Sequence, residues 1–134
     1  MFLLDTNACI RILNAGPSSV RRQFERRATS DIAVCGIVKA ELLYGARRSS
    51  RVEENLYRIE ALCEPLVSLP FDDGCADAYG RIRSVLETEG NPIGPNDLLI
   101  AATALAFDVT LVTHNTREFN RVPGLRMVDW EAGE

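Results

Sequence analysis

A chain of 134 residues, 46% hydrophobic and 25% charged, is expected to form one domain, residues 1–134, that removes roughly two thirds of its unfolded surface from water. Mean hydropathy is −0.04, and the longest nearly apolar stretch, Leu98 to Phe107, falls well short of the roughly 20 residues a membrane helix needs, which excludes disordered, fibrous and membrane-spanning classes. The net charge of −4 argues against bulk electrostatic grip on nucleic acid, yet residues 1–67 carry +2 and residues 68–134 carry −6, so the halves differ in sign.

In chain order, Phe2 to Leu4 reads as a short buried strand ending at Asp5, and Ile10 and Leu13 continue at helical spacing until Gly16-Pro17. Ser18 or Ser19 caps a second helix running to about Ala28, with arginines outward. Ile32 to Cys35 is a second strand, and Gly36 leads into a helix with Val38, Leu42 and Gly45 on one face. Val52, Leu56, Ile59 and Cys63 predict another amphipathic helix ending before Pro65. Val67 to Leu69 is the third strand, and Asp72 or Asp73 caps a helix with the stripe Cys75, Tyr79, Ile82 and Leu86, closed by Gly90. Asn96 caps a helix that is apolar nearly all round, Leu98 to Phe107, and therefore central. Val109 to Val112 is the fourth strand, a polar turn with a short helical piece follows, and Met127 and Val128 give a last short strand. Strands alternating with helices in this rhythm predict a parallel sheet of four to five strands covered on both faces, a three-layer α/β/α sandwich.

In such a sheet ligand sites gather at the carboxyl ends of the strands. Asp5 ends the first strand, Glu41 lies in the second turn of the helix after the second, Asp97 opens the central helix, and Thr113, Asn115 and Glu118 follow the fourth strand. Singly, Asp5 and Asp97 suit helix-capping or first-turn acids. Glu41 suits an outward position beside Lys39, and Glu118 a solvated turn. Together they place four carboxylates at one edge, where they repel and raise one another's pKa values unless a cation neutralises them. Oxygen ligands without histidine or thiolate select hard divalent ions, Mg²⁺ or Mn²⁺, and such a centre activates water for attack on phosphorus. Phosphodiester hydrolysis is the expected chemistry. No glycine cradle of the GxxxxGK[ST] or GxGxxG kind and no GxSxG elbow accompanies it. The single His114 reads as a turn residue beside the acids. Cys9, Cys35, Cys63 and Cys75 lack CxxC spacing and read as small buried hydrophobes in a reducing compartment. The N-terminal MFLLDTN has no basic segment before an apolar run, so a cytoplasmic location is expected.

The segments FLLDTNACI, AELLYGA, GPNDLLIAATA and LVTHNTREFNRVPGLRMVDW resemble, in order and over essentially the whole chain, the PIN domains of the VapC toxin family. The resemblance implies an α/β/α sandwich, a Mg²⁺- or Mn²⁺-dependent ribonuclease site, a homodimer, and pairing with a small VapB-type antitoxin that forms a higher assembly and pushes a C-terminal segment into the acidic pocket. Asp5, Asp97 and Glu41 match the metal-binding acids, and Thr6 and Thr113 match hydroxyl residues that position ligands or water. Glu118 stands where an acid precedes Phe, and Asn115 stands where many relatives carry aspartate. An asparagine brings no charge, so a second ion would bind weakly or only with RNA present. The arginine clusters, Arg21, Arg22, Arg26, Arg27 and Arg47, Arg48, Arg51, suit RNA phosphates, antitoxin or dimer contacts alike. An endoribonuclease toxin acting on structured RNA, plausibly a tRNA, is the leading expectation. A catalytically idle PIN-like binding module and a metal-dependent DNA or flap nuclease are the alternatives.

Overall fold

A computed structural model describes residues 1–132; positions 133 and 134 of the expected 1–134 domain lie outside the described residues. Five short parallel strands form the sheet: β1 Phe2–Leu4, β2 Ile32–Cys35, β3 Val67–Leu69, β4 Thr110–Val112 and β5 Met127–Val128, in the order β3-β2-β1-β4-β5. All four residues of β2 are buried, so the sheet is covered on both faces, as a continuous apolar run of β-branched and small residues requires. The order reverses at β1, which pairs with β2 on one side and β4 on the other. That reversal opens a crevice at the carboxyl ends of β1 and β4.

Among the described residues seven helices flank the sheet: α1 Thr6–Leu13, α2 Ser19–Glu25, α3 Gly36–Arg47, α4 Val52–Cys63, α5 Asp73–Thr88, α6 Pro95–Ala106 and α7 Thr116–Phe119. The central one is α6, with Leu98, Ile100, Ala101, Ala102, Thr103 and Ala104 all buried. Its one buried hydroxyl, on Thr103, donates to Leu99 O at 2.9 Å, which removes the penalty of an unpaired polar group. The small alanines let α5 approach closely with Cys75, Ala78, Ile82 and Leu86, and each fully buried leucine or isoleucine stabilises the fold by about 1.5–3 kcal/mol. Gly90, at φ +71°, ends α5. Asn91 N–H donates to Leu86 O at 2.9 Å and Gly90 N–H to Glu87 O at 3.2 Å, a paired closure that needs the left-handed backbone glycine tolerates.

Several boundaries differ from the sequence reading. Helix α2 stops at Glu25, before Ala28, because Arg27 N–H tightens onto Phe24 O at 3.2 Å and a 3₁₀ turn, Thr29–Asp31, feeds β2. On α3 the buried stripe runs Val38, Leu42, Ala46, and Gly45 is exposed. The deepest positions of α4 are Ile59 and Leu62, with Val52, Leu56 and Cys63 at the margin. On α5, Ala78 takes the inward place expected of Tyr79, which is half-buried. Helix α6 is capped by Gly94 with Pro95 at its first position, so Asn96 lies inside the helix and does not cap it. Cys9, Cys35 and Cys75 are buried free thiols, and Cys63 is half-buried.

Candidate active site

Asp5 leaves β1 at the crevice and caps α1, its Oδ1 accepting from Ala8 N–H at 2.8 Å. Its own N–H donates to Val112 O at 3.1 Å, so the backbone fixes it to the end of β4. Thr113 follows Val112 and is buried; its Oγ1 accepts from Asn115 N–H at 3.0 Å, and its hydroxyl favours the charged form of Asp5. Burial pushes the Asp5 carboxyl up, Ala8 N–H and the Thr113 hydroxyl oppose that rise, and Glu131 and Glu41 add to it by charge. The capping and pocket roles of Asp5 are therefore met by one side chain.

Glu41, on α3, enters from the side. Its Oε1 accepts from Thr6 Oγ1 at 2.5 Å and its Oε2 from Asn96 Nδ2 at 3.2 Å. Asp97, third residue of α6, lies half-buried beside it. Burial first, then the charges of Glu118, Asp5 and Glu41, push the Asp97 carboxyl up to about 6. Glu118, on α7, closes the other side: Oε1 accepts from Gly94 N–H at 2.8 Å and Oε2 from Asn115 Nδ2 at 2.7 Å. Glu118 Oε1 and Asp97 Oδ2 stand 3.7 and 3.8 Å from where a side chain on Gly94 would begin, which places both carboxylates on the same small volume.

The structure thus gathers Asp5, Glu41, Asp97, Glu118, Thr6, Thr113 and Asn115 at one pocket. The Thr6 hydroxyl donates to Glu41, and the Thr113 hydroxyl lowers the Asp5 carboxyl. The spacing is loose. Among the described residues, the group of acid, histidine or cysteine ligand atoms that closes to within 4.8 Å of one another is His114, Asp129 and Glu131, not the pocket acids.

Sequence reading missed two contributors. Asn96 is the amide partner of Glu41, and nothing local distinguishes it from a capping asparagine. Glu131 raises the Asp5 carboxyl, pairs with Arg11 at 3.1 Å, and lies 3.8 Å from His114 Nδ1, which hydrogen-bonds Asp129 Oδ2 at 2.9 Å. That acid was within reach of the same rule that found Thr113: β5 is parallel to β4, so residues just past Val128 arrive at the same edge. The hydrogen bond to Asp129 and the nearby Glu131 carboxylate raise the exposed His114 imidazole.

A parallel sheet whose switch point is lined by carboxylates defines an α/β unit built for an acidic site, and residues 2–125 match the PIN domain family model. The chain is 39% identical to "Ribonuclease VapC2" of Rickettsia felis, an alignment that covers 98% of each chain. It is 40% identical to the "tRNA(fMet)-specific endonuclease VapC" of Salmonella typhimurium over 96% of this chain and 97% of that one. A solved structure of VapBC2 from Rickettsia felis, bound to a DNA fragment from their promoter, superposes with a TM-score of 0.90 at 39% identity, covering 96% of this chain and 98% of that chain. The chain belongs to the PIN-domain family and, within it, to the VapC ribonucleases.

Proposed function

We propose that the pocket hydrolyses phosphodiester bonds of RNA, with tRNA as the substrate class, around Mg²⁺ or Mn²⁺ held by Asp5 and Asp97 and, directly or through water, by Glu41. The observation that carries this reading is the convergence of Asp5, Glu41, Asp97 and Glu118 at the switch point, with Glu118 and Asp97 both facing Gly94 and Glu41 tied to the neighbours of Asp5 and Asp97. Burial and the three carboxylates around it raise the Asp97 carboxyl to about 6. Such crowding favours a cation in the hollow, and an all-oxygen donor set suits a hard divalent ion. Bound there, the ion supplies Lewis-acid stabilisation of charge developing on the phosphate and activates water for attack.

The chain's own residues prepare that chemistry. Ala8 N–H holds Asp5 still, Thr6 and Asn96 hold Glu41, and Glu118 joins Asn115 to the loop amide of Gly94 at the entrance to α6. Asn115 offers an amide oxygen but no charge, which favours one tightly held ion over two.

A VapB-type antitoxin is the proposed partner, with the toxin a homodimer in the cytoplasm. A groove of about 240 Å³ between α1, α3 and α4 is lined by Ile10, Leu13, Leu42, Ile59, Arg58 and Glu41, a largely apolar lining with one acid that fits an apolar segment bearing a basic side chain. Solved VapBC assemblies among the relatives support the pairing.

The deciding test is cleavage of tRNA by purified, antitoxin-free protein with Mg²⁺, with EDTA, and as the Asp97→Asn variant. Cleavage only by the unmodified protein with metal is expected. Equal cleavage by Asp97→Asn would overturn the site.

A further inference from the structure

Asn96 sits in the exposed first turn of α6, where an asparagine ordinarily caps the helix or is left to water. Gly94 already fills the cap, and the Asn96 amide instead crosses to α3 and donates to Glu41 Oε2. The other oxygen of Glu41 is held by Thr6. Both donors are immediate chain neighbours of an acid, since Thr6 follows Asp5 and Asn96 precedes Asp97. Two side-chain bonds therefore tie the three acid-bearing segments together through one carboxylate. Without them Glu41, with three rotatable side-chain bonds and like charge beside it, would swing toward solvent and lose its fixed placement.

We propose that Asn96 is a positioning residue that sets the separation of Glu41 from Asp97 and so the affinity of the pocket for its divalent ion. The inference rests on the acid-pocket reading above and deepens it by naming an amide, not an acid, as the element that tunes the site. Partners of metal ligands typically change affinity by about 10–100-fold when removed. A capping asparagine would change stability alone, and an RNA-contacting one would change KM alone.

The experiment is a Mn²⁺ titration of the full chain followed by the EPR signal of free Mn²⁺, on the unmodified protein, Asn96→Ala, Asn96→Gln and Asp97→Asn. Asn96→Ala is expected to raise the Mn²⁺ Kd about tenfold, with kcat recovering at saturating Mn²⁺ and KM for RNA unchanged. Asn96→Gln, which keeps an amide donor, should recover most of the affinity and guards against misfolding of the alanine variant. A Kd for Asn96→Ala within about twofold of the unmodified protein, beside lost binding in Asp97→Asn, would overturn the positioning role and leave the pocket standing. Unchanged binding in Asp97→Asn as well would sink the pocket and this inference with it.

Discussion

Asp5 and Thr113 sit at the ends of two strands hydrogen-bonded backbone to backbone, whereas Glu41 and Glu118 reach the same pocket on side chains held by other side chains and one loop amide. The first pair forms a floor, both residues nearly inaccessible, fixed by the register that sets Leu4 beside Val112. The second forms a half-exposed rim contributed by α3 and α7, each tied to the start of α6. Changes on the floor should remove chemistry without moving neighbours, while changes on the rim should release what they hold.

Asp97 lies where floor and rim meet, and Asp97→Asn should have the largest effect. Loss of the pocket charge is expected to lower RNA cleavage by at least about 100-fold, more than loss of an outer partner. Stability of the metal-free protein should move the other way. Because the folded carboxyl titrates at about 6 against the ordinary value of 3.8, the folded state keeps a proton that the unfolded chain releases between roughly pH 4 and 6. Stability therefore falls as pH rises through that window and stays lower above it. Allowing for solvent screening at a half-exposed site, the penalty is about 1–2 kcal/mol. Asp97→Asn should accordingly raise the metal-free melting temperature by about 3–8 °C at pH 7.5 and by almost nothing at pH 4. Added Mg²⁺ should reverse the order by stabilising only the unmodified protein. Melting curves at the two pH values, with and without Mg²⁺, check all three outcomes.

Glu118→Gln tests the rim. The glutamine carbonyl can still accept from Gly94 N–H, and Asn115 can turn its amide to match, so geometry survives while a charge is lost. Glu118 is the strongest of the like charges acting on Asp97. Its removal should bring the Asp97 carboxyl down from about 6 toward the ordinary range, read by carboxyl NMR of the metal-free protein. Cleavage should drop about tenfold, less than for Asp97→Asn. An unmoved Asp97 titration would show that Glu118 contributes nothing to the rise.

The contrast between floor and rim also marks what was legible in the sequence. An apolar run closed by an acid announces where a parallel strand ends, so Asp5, Thr113 and the order of elements follow from period and punctuation. The capping of α6 by Gly94 follows from Pro95 at its first position, whereas the turn of Asn96 toward Glu41 depends on how far α3 stands from α6, a distance no local pattern encodes. Glu131 is less legible for another reason: β5 is read correctly from Met127 and Val128, but Glu131 stands three positions past its end, beyond Asp129 and Trp130, where neither period nor cap fixes which way a side chain turns. On α3, a glycine at helical spacing drew the stripe to Gly45, while the sheet accepted Ala46 one position on, because the 3.6-residue repeat allows either.

The paired threonines sharpen the comparison at smaller effect. Thr113→Val removes the hydroxyl that favours the charged form of buried Asp5 and should destabilise by about 1–2 kcal/mol at pH 7.5, with the Asp5 carboxyl rising further. Thr6→Val frees one oxygen of half-exposed Glu41 and should leave the melting temperature nearly unchanged while lowering cleavage several-fold. Equal losses of stability in both variants would erase the distinction between floor and rim.

The smallest effect on activity is expected from Arg27, which separates structural arginines from RNA-facing ones. Its guanidinium lies 4.8 Å from the Phe2 ring centroid and 4.7 Å from that of Trp130, two rings that themselves meet at 5.5 Å, and Nη1 donates to Gln23 O at 2.7 Å. Arg21 is likewise turned inward, onto the Ile12 and Asn14 carbonyls at the end of α1. Both belong to the cluster whose composition suits phosphate, yet their cationic faces are spent on packing and on closing a helix. Arg27→Ala should therefore lower stability by about 1–2 kcal/mol, visible as a melting temperature several degrees lower, with KM for RNA unchanged. Arg26→Ala, one position away and exposed, should leave the melting temperature unchanged and serves as the matched control. A raised KM with an unchanged melting temperature for Arg27→Ala would return that arginine to the RNA surface.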